Sequence, residues 1–264
     1  MKTAIVIPAR YASSRLPAKP LLRDTGKYLI QHVYERACES NAHQAIVATD
    51  DERIFDAVRS FGGNVVMTRA DHPSGTDRVA EVAEKLDAEI IVNLQGDEPL
   101  IEPATLDLLA GLLDRRHHAP RDGAHHHAER DAYGEPQMAT LAVPLTSLAN
   151  WYDPNCVKVV CDKHGRALYF SRSPIPYVRD GRPNFSTGQF LQHLGLYAYR
   201  REFLLQLAKL PPEPLETTEK LEQLRVLSLG YRIQVGVVPH AHRGVDTPAD
   251  YQRFVEMVRA SRAA

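Results

Sequence analysis

Short apolar runs alternate with helical periodicity through the first half of the chain. The runs predict β-strands at residues 4–7, 45–48, 64–67 and 89–94. Between these strands, residues 28–40 and 76–86 carry apolar side chains along one stripe, which predicts amphipathic helices. Apolar strands separated by helices indicate an α/β fold with a mostly parallel sheet and helices on both faces.

The second half of the chain has a less regular pattern, and we expect antiparallel additions to the sheet there. Further strands are predicted at residues 138–144, 157–161, 167–171, 194–199 and 232–238. Helices are predicted at residues 219–229 and 248–262. The last helix is expected to begin with Thr247 as N-cap, Pro248 in the first helical position and Asp250 closing a capping box.

Composition narrows the classes of protein. The chain has 264 residues, 44% of them hydrophobic and 25% charged, which favours one large domain with a sizeable core. With a net charge of −1, the protein has no overall positive field to attract nucleic acid or an anionic membrane, so neither partner is expected. No apolar run approaches the roughly 20 residues of a spanning helix, and no signal peptide is recognisable. We therefore expect a soluble, cytoplasmic protein without membrane insertion.

Cysteines and histidine runs are the features of this chain that could form a metal or redox site. Cys38, Cys156 and Cys161 show no CxxC pair, so they are interpreted as packing residues. Residues 116–135 contain two histidine runs among charges, Pro and Gly, with no apolar periodicity. They predict an exposed, mobile loop, since no scaffold fixes a ligand geometry, although a metal site remains the alternative.

The segment after the first strand carries the strongest chemical signal. Arg10, Arg15 and Lys19 lie within ten residues of one another. Small residues stand between them: Ala12, Ser13 and Ser14. Ligands of parallel sheets bind at the carboxyl ends of strands, where these cations would meet a triphosphate. The segment is neither a Walker A motif nor a GxGxxG fingerprint, which argues against P-loop kinases and dehydrogenases.

Two aspartates are candidate ligands for Mg²⁺, which prefers hard oxygen ligands and takes few from protein. Asp97 follows the strand at residues 89–94, and Glu98 beside it is interpreted as a supporting loop residue. Capping of the following turn is the alternative role for Asp97. Asp246 precedes the last helix, where capping explains Thr247 and Asp250 but leaves Asp246 open between a metal ligand and a structural turn.

These segments resemble the sugar cytidylyltransferases, most closely those that act on 3-deoxy-manno-octulosonate (Kdo). The resemblance rests on blocks that follow the family's order along nearly the whole chain. The blocks span residues 7–20, 46–50, 67–78, 92–99, 169–172, 193–197, 221–225 and 244–248. The chain departs from the family at Ala18, where Gly is common, at Tyr28, where Pro is frequent, and in the histidine-rich insertion. Ala18 bears on loop geometry, because Ala adopts positive φ less freely than Gly.

The resemblance implies a Rossmann-like nucleotidyltransferase fold that transfers CMP from CTP to Kdo for lipopolysaccharide biosynthesis, with Mg²⁺ as cofactor, in a homodimer. It implies that Asp97 and Asp246 bind the metal and that Arg15 and Lys19 act in catalysis. The nucleotide-binding residues it implies are Arg10, Ala12, Ser13, Ser14, Arg15, Lys19, Ser74 and Gln95. The sugar-binding residues it implies are Gln95, His193, Tyr197, Glu222 and Gln223. Two further sugar contacts are predicted: Arg172, and Arg78, which lies near the helix start at Ser74 and could meet the carboxylate of an acidic sugar.

Three alternatives stay open on the sequence alone. His193 taken by itself is more typical of a structural histidine, and Glu222 and Gln223 are ordinary helix residues. The substrate could instead be a nonulosonic acid or an amino-Kdo. A non-catalytic nucleotide-binding regulator is a third hypothesis, although such a protein would be expected to lose Asp97 and Asp246.

The expected organisation is a single nucleotidyltransferase domain with three parts. Residues 1–115 mainly bind CTP, and residues 116–135 form the histidine-rich loop. Residues 136–264 bind the sugar, form the dimer contact and supply Asp246.

Overall fold

The computed structural model describes residues 1–13, 15–114, 134–241 and 244–263. Ser14 and nearly all of the predicted histidine-rich loop lie outside these ranges. Contacts divide the chain into two compact units, Met1–Asp107 with His242–Ala264, and Leu108–Ala241. The last residues of the chain therefore belong to the first unit, whereas the sequence analysis grouped residues 136–264 together.

The described part of the chain contains nine strands and nine α-helices. The strands are β1 (Thr3–Ala9), β2 (Gln44–Thr49), β3 (Val65–Met67), β4 (Ile90–Asn93), β5 (Met138–Pro144), β6 (Lys158–Cys161), β7 (Ala167–Ser171), β8 (Leu191–Arg200) and β9 (Ile233–Val237). The helices are α1 (Leu29–Cys38), α2 (Glu52–Ser60), α3 (Gly75–Ala83), α4 (Pro103–Gly111), α5 (Leu148–Tyr152), α6 (Arg201–Leu207), α7 (Pro214–Glu219), α8 (Gln223–Ser228) and α9 (Pro248–Ala263).

The first unit is built on four parallel strands in the order β3-β2-β1-β4. Every residue of β4 is buried, and β1 and β2 are buried along most of their length. Such strands read as continuous apolar runs because helices cover both faces of a parallel sheet. All four predicted strands of this unit are confirmed.

Side-chain caps fix where three helices of the first unit begin. Ser74 accepts a hydrogen bond from the backbone of Asp77 at the start of α3. At α9, Thr247 Oγ1 accepts from Asp250 N at 3.2 Å, and Asp250 Oδ2 accepts from Thr247 N at 2.8 Å. The predicted capping box is therefore confirmed. Helix α2, which the sequence analysis did not identify, begins at the capping residue Asp51.

A cluster of apolar side chains packs the cationic segment, residues 10–19, against α1 and α9. Its buried members are Leu16, Leu29, Val245, Tyr251, Phe254 and Val255. Leu16 belongs to the segment that carries Arg15 and Lys19, and Val245 immediately precedes Asp246. The same packing therefore holds two predicted parts of the site.

The second unit is mixed, as expected for the second half of the chain. Strand β5 pairs antiparallel with β8 and parallel with β9, while β6 pairs antiparallel with β7 and β8. All five predicted strands form. The predicted helix at residues 219–229 was wrong at its start, because Lys220 adopts φ 55° and separates α7 from α8.

Several buried residues of the second unit serve packing. Lys158 is fully buried, and its ammonium donates to the carbonyls of Asp153, Cys156 and Arg172 at 2.9, 2.6 and 2.6 Å. Burial lowers the pKa of Lys158. Cys156 is buried as expected, but Cys38 is exposed, so the packing interpretation was wrong for Cys38. None of the described helices is long and apolar enough to cross a membrane.

Candidate active site

The carboxyl ends of the neighbouring strands β1 and β4 lie at one edge of the first unit. The backbone of Leu94 donates to Val6 O at 3.1 Å just beyond β4. A Cβ at Gly96 would lie 3.2 Å from Pro8 O, so the glycine allows the loop after β4 to approach the loop after β1. This close approach brings the cationic segment and the Asp97 segment together, as strand order predicts.

Lys19 lies between the two predicted metal ligands. Its Nζ is 2.7 Å from Asp97 Oδ2 and 3.2 Å from Asp246 Oδ1. Arg15 Nη2 lies 3.4 Å from the same Asp246 oxygen. The backbone N–H of Val245 donates to Asp97 O at 2.8 Å, which holds the two carboxylate-bearing segments side by side. The structure thus brings together all four residues assigned to catalysis.

Glu98 adds a third carboxylate to this neighbourhood. Burial, together with the charges of Asp97 and Asp246, raises the pKa of Glu98 to about 8, although the charge of Lys19 lowers it. The Oε2 atom is buried and has no hydrogen-bond partner among the described residues. A buried orphan oxygen beside two carboxylates indicates a region in need of positive charge.

This donor set fits a hard divalent cation that keeps most of its coordination for other ligands. Asp97 and Asp246 offer two carboxylates, and the described residues contain no group of three or more His, Cys, Asp or Glu side chains arranged to hold a metal. Mg²⁺ usually takes one or two protein carboxylates and completes its coordination with water and substrate phosphates. The open carboxylate pair therefore suits magnesium better than a closed structural site.

Local backbone geometry aims Lys19 at the carboxylates. Ala18 adopts φ 53° and ψ 26° and starts a short 3₁₀ turn at Lys19–Leu21. A left-handed conformation is costly for Ala, and the hydrogen bond from Leu21 N to Ala18 O at 2.8 Å stabilises the turn. Leu16 anchors the preceding residues in the apolar cluster, and its N–H donates to Ser13 Oγ at 3.4 Å. The family's common Gly is thus replaced without loss of the turn.

Two contacts that the sequence analysis missed fix the start of the cationic segment. Arg10 Nη2 donates to His72 O at 3.1 Å, and the His72 ring is hydrogen-bonded to Glu81. The guanidinium of Arg53 stacks over the Tyr11 ring, with its central carbon 3.3 Å from the ring centroid. Only the quoted family blocks contained a signal for His72, and nothing in the sequence paired Tyr11 with Arg53.

Arg78 is held by the segments that follow β2 and β3. It is fully buried; its Nη1 donates to Thr68 Oγ1 at 2.5 Å, and its Nη2 forms an ion pair with Asp50 Oδ2 at 2.9 Å. The side chain ties α3 to the ends of β2 and β3. Its predicted contact with the sugar therefore draws no support from this geometry.

Other predicted nucleotide contacts have structural partners of their own. Ser74 caps α3, and its Oγ also donates to Asp77 Oδ2 at 2.7 Å. Gln95 Nε2 donates to Asn93 Oδ1 at 3.3 Å. Ala12 is exposed beside Ser13 in the cationic segment.

Within the second unit, three predicted sugar contacts lie together. His193 and Tyr197 project from β8 with ring centroids 5.5 Å apart. Tyr197 OH donates to Gln223 Oε1 at 3.3 Å. The amide nitrogen of Gln223 is buried and has no hydrogen-bond partner among the described residues, so it is a donor available to a ligand. Burial raises the pKa of Tyr197, and the charge of Glu222 adds to the rise.

The protonation state of His193 follows from its partner. Thr140 Oγ1 donates to Leu196 O at 2.8 Å and lies 2.9 Å from His193 Nε2. Because a hydroxyl has one proton, the bond from Thr140 to Leu196 O assigns the imidazole proton to Nε2, which then donates to Thr140. Burial lowers the pKa of His193 to about 3, so the ring is neutral at physiological pH. Thr140 was not among the predicted residues.

Arg172 supports the turn before Gln223. Its Nε, Nη1 and Nη2 donate to the carbonyls of Glu219, Pro154 and Lys220 at 2.7, 2.9 and 3.4 Å. These bonds use every type of nitrogen in the guanidinium, and they brace the left-handed Lys220. Arg172 therefore positions the segment that carries Glu222 and Gln223, whereas the sequence analysis made it a direct sugar contact.

Known proteins resemble this chain along most of its length. A family model described as cytidylyltransferase matches residues 4–233. The 3-deoxy-manno-octulosonate cytidylyltransferase of Geobacter metallireducens is 50% identical over 265 residues, which cover 97% of each chain. That of Syntrophobacter fumaroxidans is 48% identical over 262 residues, covering 98% of this chain and 97% of the relative.

A solved structure agrees with the fold. The CMP:2-keto-3-deoxy-manno-octonic acid synthetase complexed with CTP matches with a TM-score of 0.85 and 44% identity, covering 99% of this chain and 100% of that one. The predicted nucleotidyltransferase fold is therefore confirmed. The chain belongs to the cytidylyltransferase family, together with the 3-deoxy-manno-octulosonate cytidylyltransferases.

Proposed function

We propose that the protein transfers CMP from CTP to the anomeric hydroxyl of Kdo, giving CMP-Kdo and pyrophosphate. The observation that carries the proposal is the cluster of Lys19, Asp97 and Asp246 at the carboxyl ends of β1 and β4, joined by Arg15. Full-length relatives that carry the name of this activity support the choice of nucleotide and sugar. The product supplies lipopolysaccharide assembly.

The chemistry needs charge neutralisation more than a protein nucleophile. The sugar hydroxyl attacks the α-phosphorus in line and releases its proton to solvent, while the bond to pyrophosphate breaks and pyrophosphate leaves carrying the negative charge that develops. Arg15 and Lys19 offset that charge, because cations preorganised beside a leaving group stabilise the transition state. Asp97 and Asp246 would hold magnesium, which when bound supplies Lewis-acid polarisation of phosphate oxygens.

Sugar recognition in this proposal uses uncharged donors and acceptors. His193 is neutral and fixed by Thr140, Tyr197 is protonated, and Gln223 keeps a buried amide donor. A site built to hydrogen-bond hydroxyl groups rejects analogues that lack them, because its buried polar groups would then stay unpaired. This cluster therefore suits a polyhydroxylated sugar.

The cellular compartment and the oligomeric state of the enzyme are part of the same proposal. CTP is a cytoplasmic nucleotide, and we place the enzyme in that compartment. A homodimer, which the family resemblance implies, stays a prediction that light scattering tests.

Pyrophosphate release tests the function directly. The assay contains CTP and magnesium with Kdo, N-acetylneuraminate or an amino-Kdo in parallel, and UTP with Kdo as the nucleotide control. Release with CTP and Kdo alone is the expected result. Release only with another acid sugar would retain the chemistry and refute the substrate, and CTP binding without release from any sugar would indicate a silent regulator.

A further inference from the structure

One ammonium group contacts both carboxylates that the proposed function assigns to the metal. Lys19 Nζ lies 2.7 Å from Asp97 and 3.2 Å from Asp246, and the lysine side chain is only 15% exposed. Of the two aspartates, Arg15 contacts Asp246, at 3.4 Å, and its side chain is 67% exposed. Lys19 is thus the better shielded cation of the two and the one shared by both aspartates.

We propose that Lys19 restrains metal binding in the free enzyme, so that a divalent cation binds tightly only after nucleotide phosphates have drawn the ammonium away. This inference rests on the proposed function, because it takes Asp97 and Asp246 as the metal ligands. Lys19 then has two successive partners, the carboxylates in the free enzyme and the phosphates of the bound nucleotide.

Electrostatics supports the competition. Two cations cannot share the same pair of carboxylates at contact distance without strong mutual repulsion, which is weakly screened where the lysine is shielded from water. An ammonium on a flexible four-carbon stem can change partners without backbone movement. The backbone of Lys19 is held by the turn that starts at Ala18 and by buried Pro20, so only the side chain needs to move.

The restraint makes metal and nucleotide binding cooperative. A triphosphate offers Lys19 an alternative anion, and the released carboxylates become available to the metal. By linkage, the metal must then strengthen nucleotide binding by the same factor. Removing the lysine charge should weaken this coupling while strengthening metal binding to the free enzyme.

Direct measurement of Mn²⁺ binding without nucleotide tests the inference. Free Mn²⁺ is followed by electron paramagnetic resonance during titration of wild type, Lys19→Met and Lys27→Met. Lys27 pairs with Glu35 at 2.7 Å and is a matched control outside the site. We expect Lys19→Met to bind Mn²⁺ at least about tenfold more tightly than wild type, and Lys27→Met to match wild type. Equal or weaker binding by Lys19→Met would overturn the inference.

Two further variants separate charge from shape. Lys19→Arg keeps the positive charge and should retain weak Mn²⁺ binding, so tight binding by this variant would contradict the restraint. Lys19→Gln provides the same uncharged comparison if the methionine variant does not fold. Circular dichroism of each variant confirms that a folded chain is being titrated.

A double variant distinguishes this inference from the proposed function. Adding Asp97→Asn to Lys19→Met should abolish the gained Mn²⁺ affinity, because the metal would lose one of its two carboxylates. Retained affinity would place the metal elsewhere and refute the restraint. Gained affinity in Lys19→Met, with no pyrophosphate release by the wild type from CTP and any acid sugar, would support the restraint while refuting the assigned reaction.

Discussion

The two polar clusters, one in each unit, solve opposite physical problems. In the first unit, Lys19, Asp97 and Asp246 are charged and paired, and Asp246 keeps 47% of its side chain exposed. In the second unit, His193 and Gln223 are buried, and burial keeps His193 neutral. Paired charges that keep partial access to solvent can change partners when a triphosphate arrives. Buried neutral groups cannot reorganise cheaply, so they suit the recognition of a fixed pattern of hydroxyl groups.

The largest effect is expected from removing charge in the first unit. Asp97→Asn should reduce turnover by about 10³-fold, because the substitution removes a metal carboxylate and leaves Lys19 with one partner. Thermal stability should change little, since partly exposed ion pairs contribute about 0–1 kcal/mol. Pyrophosphate release and melting temperature are measured together.

Asp87→Asn is the matched control, because Asp87 pairs with Lys2 on an exposed surface. It should retain full activity. Near-normal turnover by Asp97→Asn would show that Asp97 contributes no more to the reaction than a carboxylate in a surface ion pair.

The next effect sharpens the comparison from the second unit. Gln223→Leu should raise the KM for Kdo by about 10- to 100-fold and leave CTP binding unchanged, because it deletes a buried hydrogen-bond donor. The substitution also removes the amide oxygen that accepts from the buried Tyr197 hydroxyl, so the free energy of unfolding should fall by about 1–3 kcal/mol. Steady-state kinetics with each substrate varied in turn measures both constants.

The exposed amide of Gln137 donates to Glu135 O and provides the control Gln137→Leu, which should leave both KM values unchanged. An unchanged KM for Kdo in Gln223→Leu would exclude Gln223 from sugar binding.

A smaller effect concerns pH. The folded-state pKa of His193 is about 3, below its ordinary value of 6.5, so the unfolded chain binds a proton more readily. The stability contribution is therefore fully present above pH 6.5 and is lost as pH falls towards 3, by about 1.4 kcal/mol per pH unit. Between pH 7 and 5, urea unfolding should show a loss of about 2 kcal/mol from this residue.

His193→Gln should lack that component of the pH dependence. His164 is exposed, and His164→Gln should retain it. If wild type and His193→Gln lose the same free energy between pH 7 and 5, His193 is not the buried neutral group described above.

The smallest effect tests the turn that aims Lys19. Ala18→Gly should raise the free energy of unfolding by about 0.5–1 kcal/mol, because glycine adopts φ 53° without steric cost. Ala42 serves as control, because its φ is not positive, and Ala42→Gly should not stabilise the chain. Thermal unfolding measures both. Destabilisation by Ala18→Gly would indicate that the methyl group packs usefully in the turn.

The two regions also differ in how far the sequence predicts them. Strand ends and the clustering of Arg15, Lys19 and Asp97 follow from local patterns, because parallel strands place their carboxyl ends at one edge. The break at Lys220 could not be predicted, since Arg172, distant in sequence, braces the left-handed backbone through carbonyl contacts. Likewise, the burial of Arg78 depends on Asp50 and Thr68, which meet it only in the folded chain.

The hydrogen bond from Val245 to Asp97 joins a late part of the chain to an early part, which determines when the carboxylate pair is completed during translation. Lys19 and Asp246 are 227 positions apart, and the intervening chain includes the whole of the second unit. During translation, Lys19 and Asp97 are therefore synthesised well before Asp246, and the carboxylate pair is complete only after the second unit has been synthesised. A nascent chain that stops before Asp246 therefore contains Lys19 and Asp97 without the second carboxylate.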